Sequence, residues 1–437
     1  MAGTRTSTRA FAATMVGAAA LGMLPSCGSP QEDTTRPTQL TWYINPDNGG
    51  NDPSKSGQAH LAQTCSQASG GSYTITTQLL PNSASDQRQQ LLRRLAASDA
   101  GVDIMSLDTV FVAEFAQADF LDAVPVDRRQ AFTDDVVAPA VESATWKDTL
   151  YAAPFWANTQ LLWYRKSVAA QAGLDMTKPV TWDQIIDAAT SQRKTVGVQA
   201  KPYEGYTVWI NALTESAGGH LVTNPGASAD DLNLGLTDQA GRRAAHIINR
   251  IADSGVGGPA LSSSDENTTV DLFAGATSGF MVQWPYVWAA LPLKGVDMAD
   301  VGYARYPQID QGRQSRPPLG GIQLAVNSRS RAKGAAWDAV RCLTDAAQQK
   351  TYMLGAGNPA ARKSVYDDAQ VRDAFPMAPL IKESLDSGAA RPSSQFYGDI
   401  SGGLYKSFSP PHDVDPSTTP QDAQRFIRSV VRGEALL

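Results

Sequence analysis

"YTITTQLLPNSASDQRQQLLRRLAASDAGVDIMSLD", residues 73–108, contains two strand patterns with one helix pattern between them. "YTITTQLL" alternates polar and apolar residues, as a half-buried strand does, and "VDIMSL" is a short apolar run typical of a buried strand. Between them, Leu91, Leu92 and Leu95 fall along one face of a helix that begins near Ser83. A strand, a helix and a strand in this order predict an α/β sheet with parallel strands.

The same alternation continues on both sides of this stretch. "QLTWYI" predicts a strand and "GQAHLAQTCSQA" a helix before it, and residues 111–120 predict an amphipathic helix after it. Further along, "TWDQIIDAATSQ" and "DQAGRRAAHIINRIADSG" predict helices, and "TSGFMVQW" predicts a strand. Ligands of doubly wound sheets bind beyond the carboxyl ends of the strands, where Asp108 follows "VDIMSL". Asp108 is therefore a candidate ligand contact, with the N-cap of the next helix as its alternative role.

Composition narrows the class of protein. The chain has 437 residues, 42% of them hydrophobic, and a formal net charge of −6. This length favours two or three domains. No stretch concentrates Lys and Arg, so we do not expect nucleic acid as a partner. The four histidines are scattered and no phosphate-binding loop is present, so we expect no metal site, no cofactor and an ATPase on a separate chain.

The N-terminus has the pattern of an export signal. Arg5 and Arg9 precede an uncharged stretch, residues 10–24, that is short for a membrane span. "LPSC" then resembles a bacterial lipobox, although its proline is unusual, with cleavage before Cys27 and acylation of its thiol. We expect residues 1–26 to be a lipoprotein signal peptide and the polar residues 27–38 to be a tether. The alternative is an ordinary secretory signal followed by a chance cysteine.

Two further cysteines remain if Cys27 carries lipid. Outside the cytoplasm, an isolated pair such as Cys65 and Cys342 suggests a disulfide. Two separate buried thiols remain the alternative, because spacing alone does not establish a bridge.

Aromatic and amide side chains recur together in the chain. "YAAPFWANTQLLWYRK", residues 151–166, surrounds Asn158 with aromatic residues, "VQWPYVW" contributes Trp284 and Tyr286, and "GYTVWINAL" contributes Trp209. Flat sugar faces stack on Trp and Tyr, and sugar hydroxyls need amide or carboxylate partners. The pattern predicts a carbohydrate site, although each tryptophan taken alone could also fill a core.

Several motifs together resemble a known family. "NTQLLWYRK", "FMVQWPYVW" and "PLGGIQLAVNSRSRAKGAAWDAVRCL" are similar to the extracellular solute-binding proteins of bacterial sugar ABC importers, over essentially the whole mature chain. More narrowly, "SLD", "WPYVW" and "AARP" are similar to the trehalose-binding lipoproteins of mycobacteria. The resemblance implies a periplasmic-binding-protein-like, two-lobed clamshell in which each lobe is a mostly parallel sheet flanked by helices. It also implies a monomer, lipid-anchored on the extracytoplasmic face, that delivers a disaccharide to an ABC permease with a separate ATPase.

The resemblance also places the lobes and the site. Residues 39–155 and 308–356 would form the N-terminal lobe, and residues 156–307 and 357–437 the C-terminal lobe. Cys65 and Cys342 match cysteines of the family. With the aromatic candidates included, the predicted ligand contacts are Gln87, Asp108, Asn158, Trp209, Glu266, Trp284, Tyr286, Gly321 and Arg391.

Some alternatives stay open at this point. The loop "NPDNGGNDP" and the region after Trp288 depart from the trehalose binders, so maltose or another α-linked di- or oligosaccharide is an alternative ligand. A secreted glycoside hydrolase would need a carboxylate pair, such as Asp108 with Glu266. A binding protein for phosphorylated solutes would need more Lys and Arg near the cleft.

Overall fold

The structure is a computed structural model that describes residues 37–47 and 49–437. The predicted signal peptide and Cys27 lie outside the described residues. The described residues form eleven strands: β1 (Thr38–Ile44), β2 (Tyr73–Leu79), β3 (Ile104–Asp108), β4 (Thr145–Trp146), β5 (Thr149–Leu150), β6 (Ala152–Thr159), β7 (Leu161–Arg165), β8 (Thr195–Gly197), β9 (Ser278–Gln283), β10 (Val301–Ala304) and β11 (Leu319–Val326).

The same part of the chain contains seventeen α-helices. They are α1 (Gln58–Ala68), α2 (Ala84–Ala96), α3 (Val112–Gln117), α4 (Arg129–Thr133), α5 (Ala138–Ser143), α6 (Lys166–Gln171), α7 (Trp182–Gln192), α8 (Glu204–Ser216), α9 (Gln239–Asp253), α10 (Glu266–Ala274), α11 (Val287–Leu293), α12 (Lys333–Leu343), α13 (Ala346–Ala356), α14 (Ala369–Ala374), α15 (Ala378–Asp386), α16 (Tyr397–Ser407) and α17 (Thr419–Val431). Within residues 37–47 and 49–437, no helix has the length and hydrophobicity that a membrane crossing requires.

The strands form two larger sheets and a small hairpin. The first sheet has the order β2-β1-β3-β11-β6, and the second has the order β10-β7-β9-β8. β1 is parallel to β2 and β3, whereas β11 is antiparallel to both of its neighbours. In the second sheet only β8 and β9 are parallel.

Both sheets are therefore mixed, which corrects the expectation of mostly parallel sheets that came from the family resemblance. The cause is the path of the chain. β11 enters the first sheet from the second sheet, where β10 precedes it, so no crossover helix within one sheet imposes the parallel direction.

The chain passes between the two sheets once through a single residue and once through a long segment. β6 ends at Thr159 and β7 begins at Leu161, and the return runs from Ala304 to Leu319. All of β6, up to Thr159, thus belongs to the first sheet, whereas the predicted first segment of the N-terminal lobe ends at residue 155. The other lobe boundaries stay a prediction.

Each sheet has its own hydrophobic core. The first core contains Trp42, Phe155 and Trp337. Beside it, the disulfide between Cys65 and Cys342 joins α1 to α12, with an S–S distance of 2.04 Å. A second core covers one face of the second sheet, and a third core packs between that sheet and α13–α15.

Helix α8 is buried along its whole length, including its polar residues Glu204, Asn211 and Glu215. The buried helix lies in the second core and begins at Glu204. Its N-terminal residues therefore hold a fixed position, and some of them face a cavity between the two sheets.

Candidate functional site

A cavity of about 310 Å³ lies between elements of the two sheets. This volume is within the range of small-molecule sites, roughly 300–1,000 Å³. A larger groove of about 940 Å³ on another face contains none of the predicted ligand contacts. The smaller cavity is lined by Asn82, Ser83, Ala84, Asp108, Trp156, Asn158, Tyr203, Glu204, Gly205, Val208, Glu266, Trp284, Gly320, Gly321, Ile322 and Arg391.

Asp108 lies at the carboxyl end of β3, at the edge where the doubly wound plan predicts a ligand. Its Oδ1 accepts a hydrogen bond from the backbone N–H of Val110, 3.3 Å away, so it also caps the following turn. The same oxygen accepts a hydrogen bond from Nη2 of Arg391 at 2.9 Å. Asp108 therefore has both of the roles that the sequence analysis considers, helix cap and cavity wall.

Arg391 is almost completely buried, with 3% of its side chain exposed. Its Nη1 donates to Oε1 of Glu204 at 2.5 Å, so one guanidinium joins two carboxylates. Burial alone would lower the pKa of Arg391, but the nearby Asp108, Tyr397 and Glu204 outweigh it and raise the pKa. The guanidinium stays charged, and its rigid planar group fixes the separation of the two acids.

Glu204 is the first residue of α8 and accepts three side-chain hydrogen bonds. The donors are Arg391, the hydroxyl of Tyr397 and the hydroxyl of Ser401, which lies 2.7 Å from Oε2. Burial and the negative charge of Glu204 raise the pKa of Tyr397, so its hydroxyl remains a donor. A buried carboxylate needs such partners, because an unpaired charge in a core is very costly.

Glu266 lines the cavity at the N-terminus of α10, where Asp265 caps the helix. The hydroxyl of Tyr203 donates to Oε2 of Glu266 at 2.5 Å. Burial raises the pKa of Glu266, while this hydrogen bond acts in the opposite direction. No ion pair to Glu266 exists within the described residues, so a neutral hydroxyl is its partner here.

Trp284 follows β9 and lies against the backbone of Gly320 in β11. A Cβ atom at Gly320 would lie 3.0 Å from the Trp284 ring, so a larger residue there would displace the ring by a few tenths of an ångström. Gly321 has a φ of +129°, and a Cβ there would meet the carbonyl oxygen of Trp156 at 2.2 Å. Gly320 thus lies against the ring of Trp284, and Gly321 lies against the backbone of Trp156. Both tryptophans line the cavity, and an indole ring is a suitable surface for a sugar face.

Asn158 lies on β6 directly opposite Gly320. Its Oδ1 accepts a hydrogen bond from the backbone N–H of Thr159 at 3.0 Å, which orients the amide. Since Asn158, Trp284, Gly321, Asp108, Glu266 and Arg391 all line the cavity, the structure brings these six predicted contacts together.

The other three predicted contacts lie elsewhere. Trp209 is fully buried in the second core, and the centres of its ring and the Trp182 ring are 6.0 Å apart. The prediction that Trp209 contacts the ligand is therefore wrong. The assignment failed because every residue of α8 is buried, so a tryptophan beside polar residues there still points into a core. Gln87 uses its amide internally, with Asn45 at 2.7 Å and the carbonyl of Pro81 at 2.8 Å.

Tyr286 lies at the N-terminus of α11, near Gly357. Burial and the charge of Glu266 raise the pKa of Tyr286. It is a neighbour of the site and not part of its lining.

Several lining residues were not predicted. Tyr203 and Glu204 precede the "GYTVWINAL" motif, and Trp156 lies in the aromatic stretch that marked the site. A test for polar residues just before a buried helix would have found Tyr203 and Glu204. Asn82 and Ser83, at the start of α2, have no comparable signal in the sequence.

The lining contains three carboxylates and one guanidinium that is already bound to two of them. Such a wall offers many hydrogen-bond acceptors for hydroxyl groups and no free cation for a phosphate. Together with two indole rings, it suits a neutral polyhydroxylated ligand.

Comparison with known proteins places the chain among binding proteins. A family model described as "Bacterial extracellular solute-binding protein" matches residues 60–379. A probable ABC transporter-binding protein of Deinococcus radiodurans is 27% identical over 339 residues, which cover 74% of this chain and 77% of the relative. A mannitol-binding protein of Pseudomonas aeruginosa is 26% identical over 319 residues, which cover 68% of this chain and 69% of the relative.

A solved structure has the same fold. The T. maritima protein MalE3 with bound maltose matches with a TM-score of 0.76 and 22% identity, over 91% of this chain and 100% of that one. This similarity confirms the predicted two-lobed α/β clamshell.

Proposed function

Because the chain belongs to the bacterial extracellular solute-binding proteins, we propose that it captures a disaccharide, trehalose first among the candidates, for an ABC importer. The membership also confirms that the chain is a binding protein and not an enzyme. The proposed partners are permease subunits with a separate ATPase. The proposed location is the extracytoplasmic face of the membrane, with a lipid on Cys27.

One observation carries the sugar assignment. The cavity places Trp284 and Trp156 beside the carboxylates of Asp108 and Glu266, so stacking surfaces and acceptors face the same space. A sugar needs both kinds of contact at once. The cavity volume of about 310 Å³ favours a small ligand over a long oligosaccharide.

Maltose is a second candidate, favoured by the similarity to the maltose-bound MalE3 structure. The two sugars differ in the linkage between their glucose rings, so the polar contacts of the cavity would distinguish them.

Calorimetry with the mature chain and a panel of trehalose, maltose, sucrose, lactose and mannitol tests the proposal. We expect one molecule of a glucose disaccharide to bind, with trehalose tightest. The Trp284→Ala substitution should nearly abolish binding of every sugar in the panel. If mannitol binds and no disaccharide does, the ligand is a sugar alcohol and the proposal is wrong. If maltose binds more tightly than trehalose, the second candidate is supported.

A further inference from the structure

We propose that Glu204 is a positioning residue of the ligand site, which holds Arg391 against Asp108 without contacting the sugar. This inference rests on the proposed function, because it assigns a task within the same cavity. It concerns a residue of α8 that neither the sequence motifs nor the aromatic pattern singled out.

Both oxygens of Glu204 are occupied inside the protein. Oε1 accepts hydrogen bonds from Arg391 and Tyr397, and Oε2 accepts one from Ser401. The residue is 8% exposed although it borders the cavity. A carboxylate with this set of donors has little capacity left for a ligand hydroxyl, so its effect on a sugar must pass through its partners.

The two terminal nitrogens of Arg391 donate to different carboxylates. Nη1 points to Glu204 and Nη2 points to Asp108, at 2.5 Å and 2.9 Å. Because the guanidinium is planar and rigid, the bond to Glu204 sets the direction from which Nη2 reaches Asp108.

Asp108 is left with one oxygen for a ligand. Its Oδ1 accepts from Arg391 and from the backbone of Val110, whereas Oδ2 has no hydrogen bond within the described chain. With 17% of its side chain exposed, Asp108 can present Oδ2 to the cavity. A free carboxylate oxygen in a fixed position is what a sugar hydroxyl requires from an acceptor.

Without the charge of Glu204, the guanidinium would have a single carboxylate partner. Arg391 would then turn toward Asp108 and bind both of its oxygens in the bidentate geometry that arginine prefers. Oδ2 would no longer be available to the sugar. Neutralising Glu204 should therefore weaken binding through Asp108, not through a lost direct contact.

A double-mutant cycle tests this route with trehalose as the probe, or with the tightest disaccharide of the panel. Glu204→Gln keeps the shape of the side chain and removes its charge. We expect it to weaken binding about 10-fold in the wild-type background, the effect of one charged hydrogen bond. In the Asp108→Asn background, the same change should alter the dissociation constant by less than about 2-fold.

Equal factors in the two backgrounds would overturn the proposal, because a direct contact or a general structural effect does not depend on Asp108. If the wild-type chain binds no disaccharide, the proposed function fails and the assignment of Glu204 fails with it. If the wild-type chain binds a disaccharide and Glu204→Gln weakens binding by the same factor in both backgrounds, only the positioning role fails.

Ser401→Ala gives a milder second variant in case Glu204→Gln does not fold. It removes one hydroxyl from Oε2 and leaves the ion pair with Arg391 in place. We expect a loss of about 2- to 3-fold that again disappears in the Asp108→Asn background. A loss that persists in that background would contradict the proposal independently of the first variant.

Discussion

The carboxylate of Asp108 and the guanidinium of Arg391 form an ion pair of 2.9 Å across 283 positions of the chain. Asp108 ends a strand of the first sheet, and Arg391 lies between α15 and α16, where it also binds Glu204 of α8. The pair therefore connects the two halves of the cavity wall.

Replacing Asp108 by Ala should weaken disaccharide binding by roughly 10- to 100-fold, since a charged hydrogen bond contributes about 1.5–3 kcal/mol. The variant also removes a helix cap, which by itself costs about 1 kcal/mol of stability. Asp345→Ala is the matched control, because Asp345 caps α13 by accepting a hydrogen bond from the backbone N–H of Gln348 and lies outside the cavity lining. Calorimetry should show wild-type affinity for the control. Wild-type affinity for Asp108→Ala would leave Asp108 with the capping role alone.

Trp284→Ala should nearly abolish binding, whereas Trp284→Phe should weaken it modestly for every α-glucoside, because a smaller ring still offers an apolar face. Trp288 is the matched control in the same segment. It packs near Trp163 and Tyr303, at ring distances of 6.4 and 6.0 Å, and is not part of the cavity lining. Titration of the Trp288→Phe variant should give an unchanged dissociation constant. Comparable losses for Trp284→Phe and Trp288→Phe would count against a stacking role for Trp284.

The disulfide between Cys65 and Cys342 should be present in the secreted protein, and its removal should lower the unfolding free energy by roughly 2–5 kcal/mol. The bridge closes a loop of 277 positions and joins α1 to α12 within one core. Alkylation of the denatured, unreduced protein should label neither residue, as mass spectrometry would detect. A Cys65→Ser, Cys342→Ser variant should unfold at lower denaturant concentration. Two labelled thiols would show that the bridge is absent.

Cys27→Ala should release the protein from the membrane into the medium, if acylation of Cys27 is the anchor. Fractionation of cells that express the full chain, with and without the substitution, measures this directly. The Cys65→Ser, Cys342→Ser variant serves as the control for general loss of cysteines and should remain in the membrane fraction. Continued membrane retention of the Cys27→Ala protein would contradict the anchor.

The sequence predicted individual strands and helices well, because the pattern that defines each one lies within its own residues. The alternation in "YTITTQLL" and the apolar face from Leu91 to Leu95 correspond to β2 and α2 within one or two residues. The reversed direction of β11 was not predictable, because it depends on where the chain comes from and not on the composition of the strand.

The residues of the candidate site likewise include some that the sequence predicts and some that it does not. Asp108 ends a strand and Trp284 directly follows one, so the α/β plan predicts that both lie at a cavity. The position of Glu204 next to a buried helix is a local signal, but its role could not be predicted, because its partners Tyr397 and Ser401 lie 193 and 197 positions away. Trp209 shows the opposite failure, since a pattern of aromatic and polar residues does not separate a cavity wall from a core.

Disaccharide binding should weaken as the pH falls from neutrality toward the ordinary glutamate pKa of about 4.3. Burial raises the pKa of Glu266, so this carboxylate takes up its proton above that ordinary value. An ionised carboxylate accepts hydrogen bonds from sugar hydroxyls with both oxygens, and protonation removes part of that capacity. Glu266→Gln should therefore bind more weakly at neutral pH and show a flatter pH dependence, as calorimetry at a series of pH values would measure.

The contribution of Glu266 to the stability of the ligand-free protein should depend on pH in the opposite direction from its contribution to sugar affinity. Since its pKa is raised in the folded state, the folded chain binds more protons than the unfolded chain between the ordinary and the raised pKa. The contribution of Glu266 to the unfolding free energy is therefore present at low pH and is lost as the pH rises through that window. Glu215 is the matched control, because burial also raises its pKa and it lies outside the cavity. Glu215→Gln should change the pH dependence of stability but leave the pH dependence of sugar affinity as in the wild type. A flattened affinity profile for Glu215→Gln, or an unchanged one for Glu266→Gln, would remove Glu266 from the set of sugar-binding groups.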